Sequence, residues 1–220
     1  KIDLTAMQEN LSSYKGKTST SSPSPHEWEN AFGDADVVFC ITITSSLSGT
    51  YNSAVIAKDI YEHNHTGRKV YVLDSLSTGP EIALFIEKIA ELIKAGFAPD
   101  DIYKTLLEYK DKTHLYFSLA SLNNFAKNGR ISPVIAAGIG LLGVRVVGKA
   151  SDEGTLLPLD KCRGEKRALK KLIDHLKECG YTDGKIIIAH NNNEAGALEL
   201  KKLIENTFGI FNGTIQKTRA

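Results

Sequence analysis

At 220 residues with 42% hydrophobic side chains, the chain can bury one large core or two compact ones, which excludes a disordered or fibrous protein. Its 27 Lys and Arg against 26 Asp and Glu leave a formal charge of +1, so it has no global electrostatic footprint for nucleic acid. Cys40, Cys162 and Cys179 fit neither a disulfide framework nor a zinc site, which points to a reducing, cytoplasmic setting.

The opening Lys1-Ile2-Asp3-Leu4 has no secretory pattern, and a start without methionine suggests a fragment. Residues 36–44 (DVVFCITIT) are a continuous apolar run of the kind that forms a strand buried on both faces. A helix is expected from Gly49, with Tyr51, Ala54, Val55, Ala57 and Ile60 on one side. Residues 69–74 (KVYVLD) give the next strand. Pro80 opens a helix to Ile93, closed by Gly96, and Pro99 opens another that carries Ile102, Leu106 and Leu107. Beyond Lys112 the pattern predicts a strand at 114–119, a short helix over 121–128, a helical 131–142 and a strand at 144–147. The turn Asp152-Glu153-Gly154 joins that strand to one at 156–159 as a hairpin. A helix over 163–179, a strand at 186–189 and a helix over 194–206 complete the pattern. The near-apolar run 134–144 stops at Arg145, short of the ~20 residues of a spanning helix. Alternating strands and helices mark an α/β protein. Two domains are expected, 1–112 with a parallel sheet and 113–220 with a mixed sheet.

Two phosphate-binding patterns match as text only. Gly138-x-Gly140-x-x-Gly143 is followed by the β-branched Val144-Arg145-Val146-Val147, where a dinucleotide fingerprint needs a strand before it and a helix after it. Gly143-x4-Gly148-Lys149 has Ala150 in place of the magnesium-binding hydroxyl. No nucleotide, metal or other cofactor is expected. Three hydroxyl-rich loops carry more chemistry: Thr18 to Ser24, then Ser45-Ser46-Leu47-Ser48-Gly49-Thr50 after the first strand, and Asp74 to Gly79 after the second. In an open α/β sheet, ligands bind in the crevice beyond the carboxyl ends of the strands. Hydroxyls and helix-start amides there suit a singly charged carboxylate, and simple helix capping is the competing reading. No Gly-x-Ser-x-Gly elbow occurs, and none of the six histidines is nominated as a base. Lys161, Arg163, Lys166, Arg167, Lys170 and Lys171 form a basic cluster, read either as a solvated face or as a docking surface for a protein partner.

Six collinear blocks then resemble the DegV family of fatty-acid-binding proteins, the lipid-binding subunits of bacterial fatty acid kinase. They are 20–25 (TSSPSP), 43–54 (ITSSLSGTYNSA), 72–75 (VLDS), 122–131 (LNNFAKNGRI), 159–163 (LDKCR) and 187–197 (IIAHNNNEAGA). The resemblance implies a two-domain α/β protein that clasps a long-chain fatty acid between its domains. It implies Thr20 and Ser48 on the carboxylate, with Ser21, Ser45, Ser46 and Gly49 around them. It also implies that the chain is no enzyme, that a separate kinase catalytic subunit is its partner, and that Arg130 and Arg163 lie on the docking rim. Against the family pattern, an opening strand and a final histidine-bearing segment are missing, Asn128 stands where glycine is usual, and Arg145-Val146 replaces Lys-Pro. The alternatives are a phosphotransferase of dihydroxyacetone-kinase-like fold and a serine-dependent hydrolase.

Overall fold

The computed structural model describes residues 16–131 and 143–218, together with Ala6, Asn10 and Tyr14. The helical reading of 131–142 therefore lies, after Ile131, outside the described residues. The elements run α1 (Pro25–Phe32), β1 (Val37–Thr42), α2 (Thr50–Asn64), β2 (Lys69–Asp74), α3 (Pro80–Lys94), α4 (Pro99–Lys110), β3 (Tyr116–Leu119) and α5 (Asn123–Lys127). They continue with β4 (Val144–Ala150), β5 (Leu156–Arg163), α6 (Glu165–Glu178), β6 (Ile186–His190), α7 (Glu194–Phe208) and β7 (Gly213–Lys217). The chain is α/β, with two parallel strand pairs and a sheet in the order β3-β4-β5 that is antiparallel.

Two compact units are formed, one of residues 21–117 and 148–159, the other of 118–147 and 160–220 with the described residues up to Thr20. The chain passes from one unit to the other within β3, within β4 and within β5.

In the first unit, β1 and β2 pair in parallel from Val37↔Lys69 to Thr42↔Asp74. One apolar cluster joins Phe32 of α1, Cys40, Ala54, Ala57, Tyr61, Val70 and Val72. A second joins Ile89 and Leu92 of α3 to Ile102 and Leu106 of α4, with Phe39 and Ile41 against it. Alternate residues of β1 thus enter different clusters, which is why its sequence reads as a continuous apolar run rather than an alternating one. Two expected core residues lie outside: Ile60 is 39% and Leu107 40% exposed. The α2 face that is buried runs through Ala54, Ala57 and Tyr61, where small residues let the helix approach the sheet and the Tyr61 hydroxyl donates to the Gly33 and Ala35 carbonyls at 2.9 Å.

In the second unit, β6 pairs in parallel with β7 from Ile186↔Gly213 to His190↔Lys217. Its cluster holds Ile173 of α6, Ile188, and Ala197 and Ile204 of α7, with Phe211 and Ile215 packed on it. The sequence pattern misses β7, because GTIQK places a single aliphatic residue, Ile215, toward the core. His175 of α6 is bound on both ring nitrogens, Nε2 to Asp160 at 2.7 Å and Nδ1 to Glu178 at 2.8 Å, and so ties α6 to β5. The hydrogen bond to His175, and after it the charge of Lys171, hold the Asp160 carboxyl below the usual carboxylate range. A depressed folded-state value means that this stabilisation is present at neutral pH and is lost as pH falls below about 4, through the lowered value. Asp160→Asn should therefore cost about 1 kcal/mol at neutral pH. In urea unfolding followed against pH, the gap between variant and wild type should close in acid, and a gap that persists there would refute the assignment.

Candidate functional site

The site is built where β1 and β2 end. Beyond the strands, Ser75 N–H donates to the Thr42 carbonyl at 3.3 Å and Thr44 N–H to the Ser77 carbonyl at 2.8 Å, so the two following loops stay paired. The Asp74 carboxylate clamps them, accepting from the amides of Ser45 at 3.1 Å and of Leu76 at 3.1 Å. Leu76 is held there at φ +52°, a left-handed conformation that a leucine rarely adopts. Removing the clamp leaves two amides without their charged acceptor, so Asp74→Ala should cost about 2 to 3 kcal/mol in chemical denaturation. An unchanged denaturation midpoint would show that the loops hold themselves.

The hairpin between β4 and β5 closes on these loops from above. Ser46 Oγ donates to the Glu153 carbonyl at 2.5 Å, and a Cβ on Gly154 would run into Thr44 Oγ1 and would lie 2.9 Å from Leu76 Cα. From the other side, Ser53 Oγ of α2 donates to the Pro23 carbonyl at 2.6 Å, and Ser22 Oγ lies 3.5 Å from where a Gly49 Cβ would be. Residues 21–25, 44–50 and 74–79 thus converge within one unit.

Capping and ligand readings now separate residue by residue. Ser24 is a true cap: with Glu27 it forms a reciprocal capping box at the start of α1. Ser48 is not the cap of α2. That position is Gly49, which has no side chain to cap with, and the half-buried Ser48 Oγ instead pairs with Thr50 Oγ1 at 2.7 Å and accepts from Thr50 N–H at 3.3 Å. The α2 N-terminus therefore keeps hydroxyls and amides together beside exposed Ser45, Ser46 and Gly49. Thr20 and Ser21 are exposed too, Ser21 opening the segment that reaches α2. Two residues before Thr20, the chain is fastened to α5: Asn128 Nδ2 donates to the Thr18 carbonyl at 2.8 Å, and Thr18 Oγ1 to Asn124 Oδ1 at 2.8 Å. The substituted Asn128 is thus an anchor that a glycine could not supply. Its carbonyl in turn accepts from Arg130 Nη1 at 2.7 Å, in an exposed turn that follows Gly129 at φ +69°. Arg163 ends β5, exposed.

Sequence reasoning missed three of these organisers. Asp74 and Asn128 act through side-chain bonds to backbone distant in sequence, which no periodicity reveals. Gly154 was legible only as a turn residue. Gly148 of the P-loop lookalike sits inside β4, where a Cβ would collide with the Leu157 carbonyl and the Phe117 ring, so it serves packing.

Among the described residues, no group of His, Cys, Asp and Glu is placed to hold a metal ion. Burial pushes the Cys40 thiol up to about 11, which leaves it a poor nucleophile. No helix among the described residues is long and apolar enough to cross a membrane.

A family profile described as "uncharacterised protein, DegV family" matches residues 1–217. The chain belongs to the DegV family. A DegV domain-containing protein of Streptococcus pneumoniae is 40% identical over 207 residues, 94% of this chain and 74% of the relative. Among solved structures, a DegV family protein from Eubacterium eligens loaded with heptadecanoic acid is 40% identical with a TM-score of 0.95, over 99% of this chain and 79% of that one. The Streptococcus pneumoniae Fatty Acid Kinase (Fak) B3 protein loaded with linoleic acid is 39% identical with a TM-score of 0.95, over 99% and 77%.

Proposed function

We propose that this chain binds one long-chain fatty acid, holds its carboxylate with the Thr20 and Ser48 hydroxyls, and presents it to a separate kinase that forms the acyl phosphate. The observation that carries the reading is the pair of lipid-loaded DegV structures at 39% and 40% identity, both at a TM-score of 0.95. The convergence of the hydroxyl loops supports it, as does the start of α2, where the N-cap Gly49 makes no side-chain cap and the partial positive charge of the helix end favours a carboxylate. Ser21, Ser45, Ser46 and Gly49 complete the surroundings, the glycine giving a ligand close access to the backbone. Burial of a long acyl tail contributes on the order of 10 kcal/mol gross at ~0.8 kcal/mol per CH₂, so the tail gives affinity and the hydroxyls fix register. The chain works in the cytoplasm, a setting that its three free cysteines suit.

No catalysis is assigned to the chain itself. Arg130 and Arg163 lie on the rim where the kinase docks. The test is calorimetric titration of the delipidated protein with heptadecanoic and linoleic acids, alongside an assay for ADP release from ATP. One saturable site and no turnover are expected. Absence of binding overturns the lipid reading, and ADP release abolished by Ser48→Ala overturns the non-catalytic one.

A further inference from the structure

We infer that the buried Ser77 hydroxyl, in the loop after β2, is a further donor to the carboxylate of the bound acid. This deepens the proposed function and rests on it for the ligand. Ser77 is 3% exposed. Its backbone is used in pairing the two strand-end loops: the carbonyl accepts from Thr44 N–H at 2.8 Å and from Ser75 Oγ at 3.1 Å, and the N–H donates to Ser75 Oγ at 3.1 Å. Its own Oγ has no hydrogen-bond partner among the described residues.

The neighbouring buried hydroxyls behave differently. Thr42 Oγ1 donates to the Leu73 carbonyl at 3.3 Å, Thr44 Oγ1 accepts from Ser46 N–H at 3.2 Å, and Ser53 Oγ donates to the Pro23 carbonyl at 2.6 Å. Nor does Ser77 serve the helix that follows, since the N-cap of α3 is Gly79, which makes no side-chain cap. A buried hydroxyl without a partner has lost its hydrogen bonds to water and regained none, a penalty that native proteins rarely carry. A ligand oxygen that completes the bond removes that penalty on binding.

Charge identifies the oxygen. Residues 42–50 and 74–79 contain one ionisable side chain, Asp74, and no Lys or Arg. A carboxylate bound beside these loops is therefore held by neutral donors, and Ser48 Oγ already shares itself with Thr50. A hydroxyl gains most from an acceptor that is charged. An acyl tail would leave it as unpaired as before. Thr44, the backbone partner of Ser77, directly precedes Ser45 and Ser46, so Ser77 belongs to the same paired loops that lead to Ser48.

The test uses the full chain, delipidated, with linoleic acid as the probe. Ser77→Ala should lower its affinity by about tenfold. The melting temperature of the ligand-free protein should stay the same or rise, because an unpaired buried hydroxyl has been removed. The preference for linoleic acid over linoleyl alcohol, measured by competition, should narrow, since the alcohol offers a neutral oxygen in place of the charged one. Unchanged or tighter binding of the acid by the variant overturns the inference, the first leaving the hydroxyl to a buried water and the second placing it on the tail. A lower melting temperature overturns it too, by returning Ser77 to the fold, and so does an equal loss for acid and alcohol. A wild type that binds no fatty acid overturns the proposed function and this inference together, whereas wild-type binding that ignores Ser77 removes the inference alone.

Discussion

Replacing Thr20 and Ser48 by alanine is expected to lower fatty acid affinity about ten- to hundredfold for each hydroxyl. A hydrogen bond to a charged group contributes about 1.5 to 3 kcal/mol, and the carboxylate is the only charge on the ligand. The fold should survive. The cap position of α2 is Gly49, so deleting Ser48 Oγ removes only its bonds to the Thr50 hydroxyl and N–H and leaves the rest of the helix start as it is. Thr20 is exposed, and the anchor that fixes its segment is made by Thr18 and Asn128. Titration of both single variants and the double, with melting temperatures measured alongside, separates the two roles. Lost affinity at constant melting temperature assigns the hydroxyls to the ligand, whereas loss of the fold at unchanged intrinsic affinity returns them to structure.

Gly154→Ala is the substitution expected to damage the fold most. The residue adopts φ +73°, and a Cβ there would collide with Thr44 Oγ1 and would sit 2.9 and 3.0 Å from Leu76 Cα and the Leu76 carbonyl. Thr44 is 1% exposed and Leu76 is tied to Asp74, so neither gives way cheaply. Overpacking and backbone strain together should cost about 2 to 4 kcal/mol. Gly209→Ala supplies the control, because it sits in the left-handed helical region at φ +77°, ψ −6°, and nothing lies within 4 Å of its Cβ position. That variant should lose only about 1 kcal/mol, the conformational part. Equal losses in the two proteins would mean that the hairpin tip does not press on the strand-end loops. Because Ser46 bonds to the Glu153 carbonyl in the same hairpin, Gly154→Ala should also weaken lipid binding.

The α/β pattern was legible because strands buried by clusters on both sides must be apolar throughout, as in β1 and β2. The start of α2 was legible from the helical period of Tyr51, Ala54, Val55 and Ala57 after Gly49. Side-chain exposure was less so. Ile60 and Leu107 fit a helical period and still lie at the surface, since the period identifies a face but not its edge. β7 escaped because five mostly polar residues give no strand signal until Gly213 is seen pressed against the Ile186 carbonyl, where a Cβ has no room. The loops of the candidate site were found as hydroxyl clusters. Their convergence depends on Asp74, Ser53 and the Glu153 carbonyl, whose bonds cross long stretches of sequence and leave no local pattern.

Native mass spectrometry of the chain, purified without stripping lipid, tests the central claim most directly. One molecule with the mass of a long-chain fatty acid should accompany each wild-type chain, and its occupancy should fall in the Thr20→Ala, Ser48→Ala double variant. A wild-type chain that remains bare, even after incubation with linoleic acid, would contradict the account.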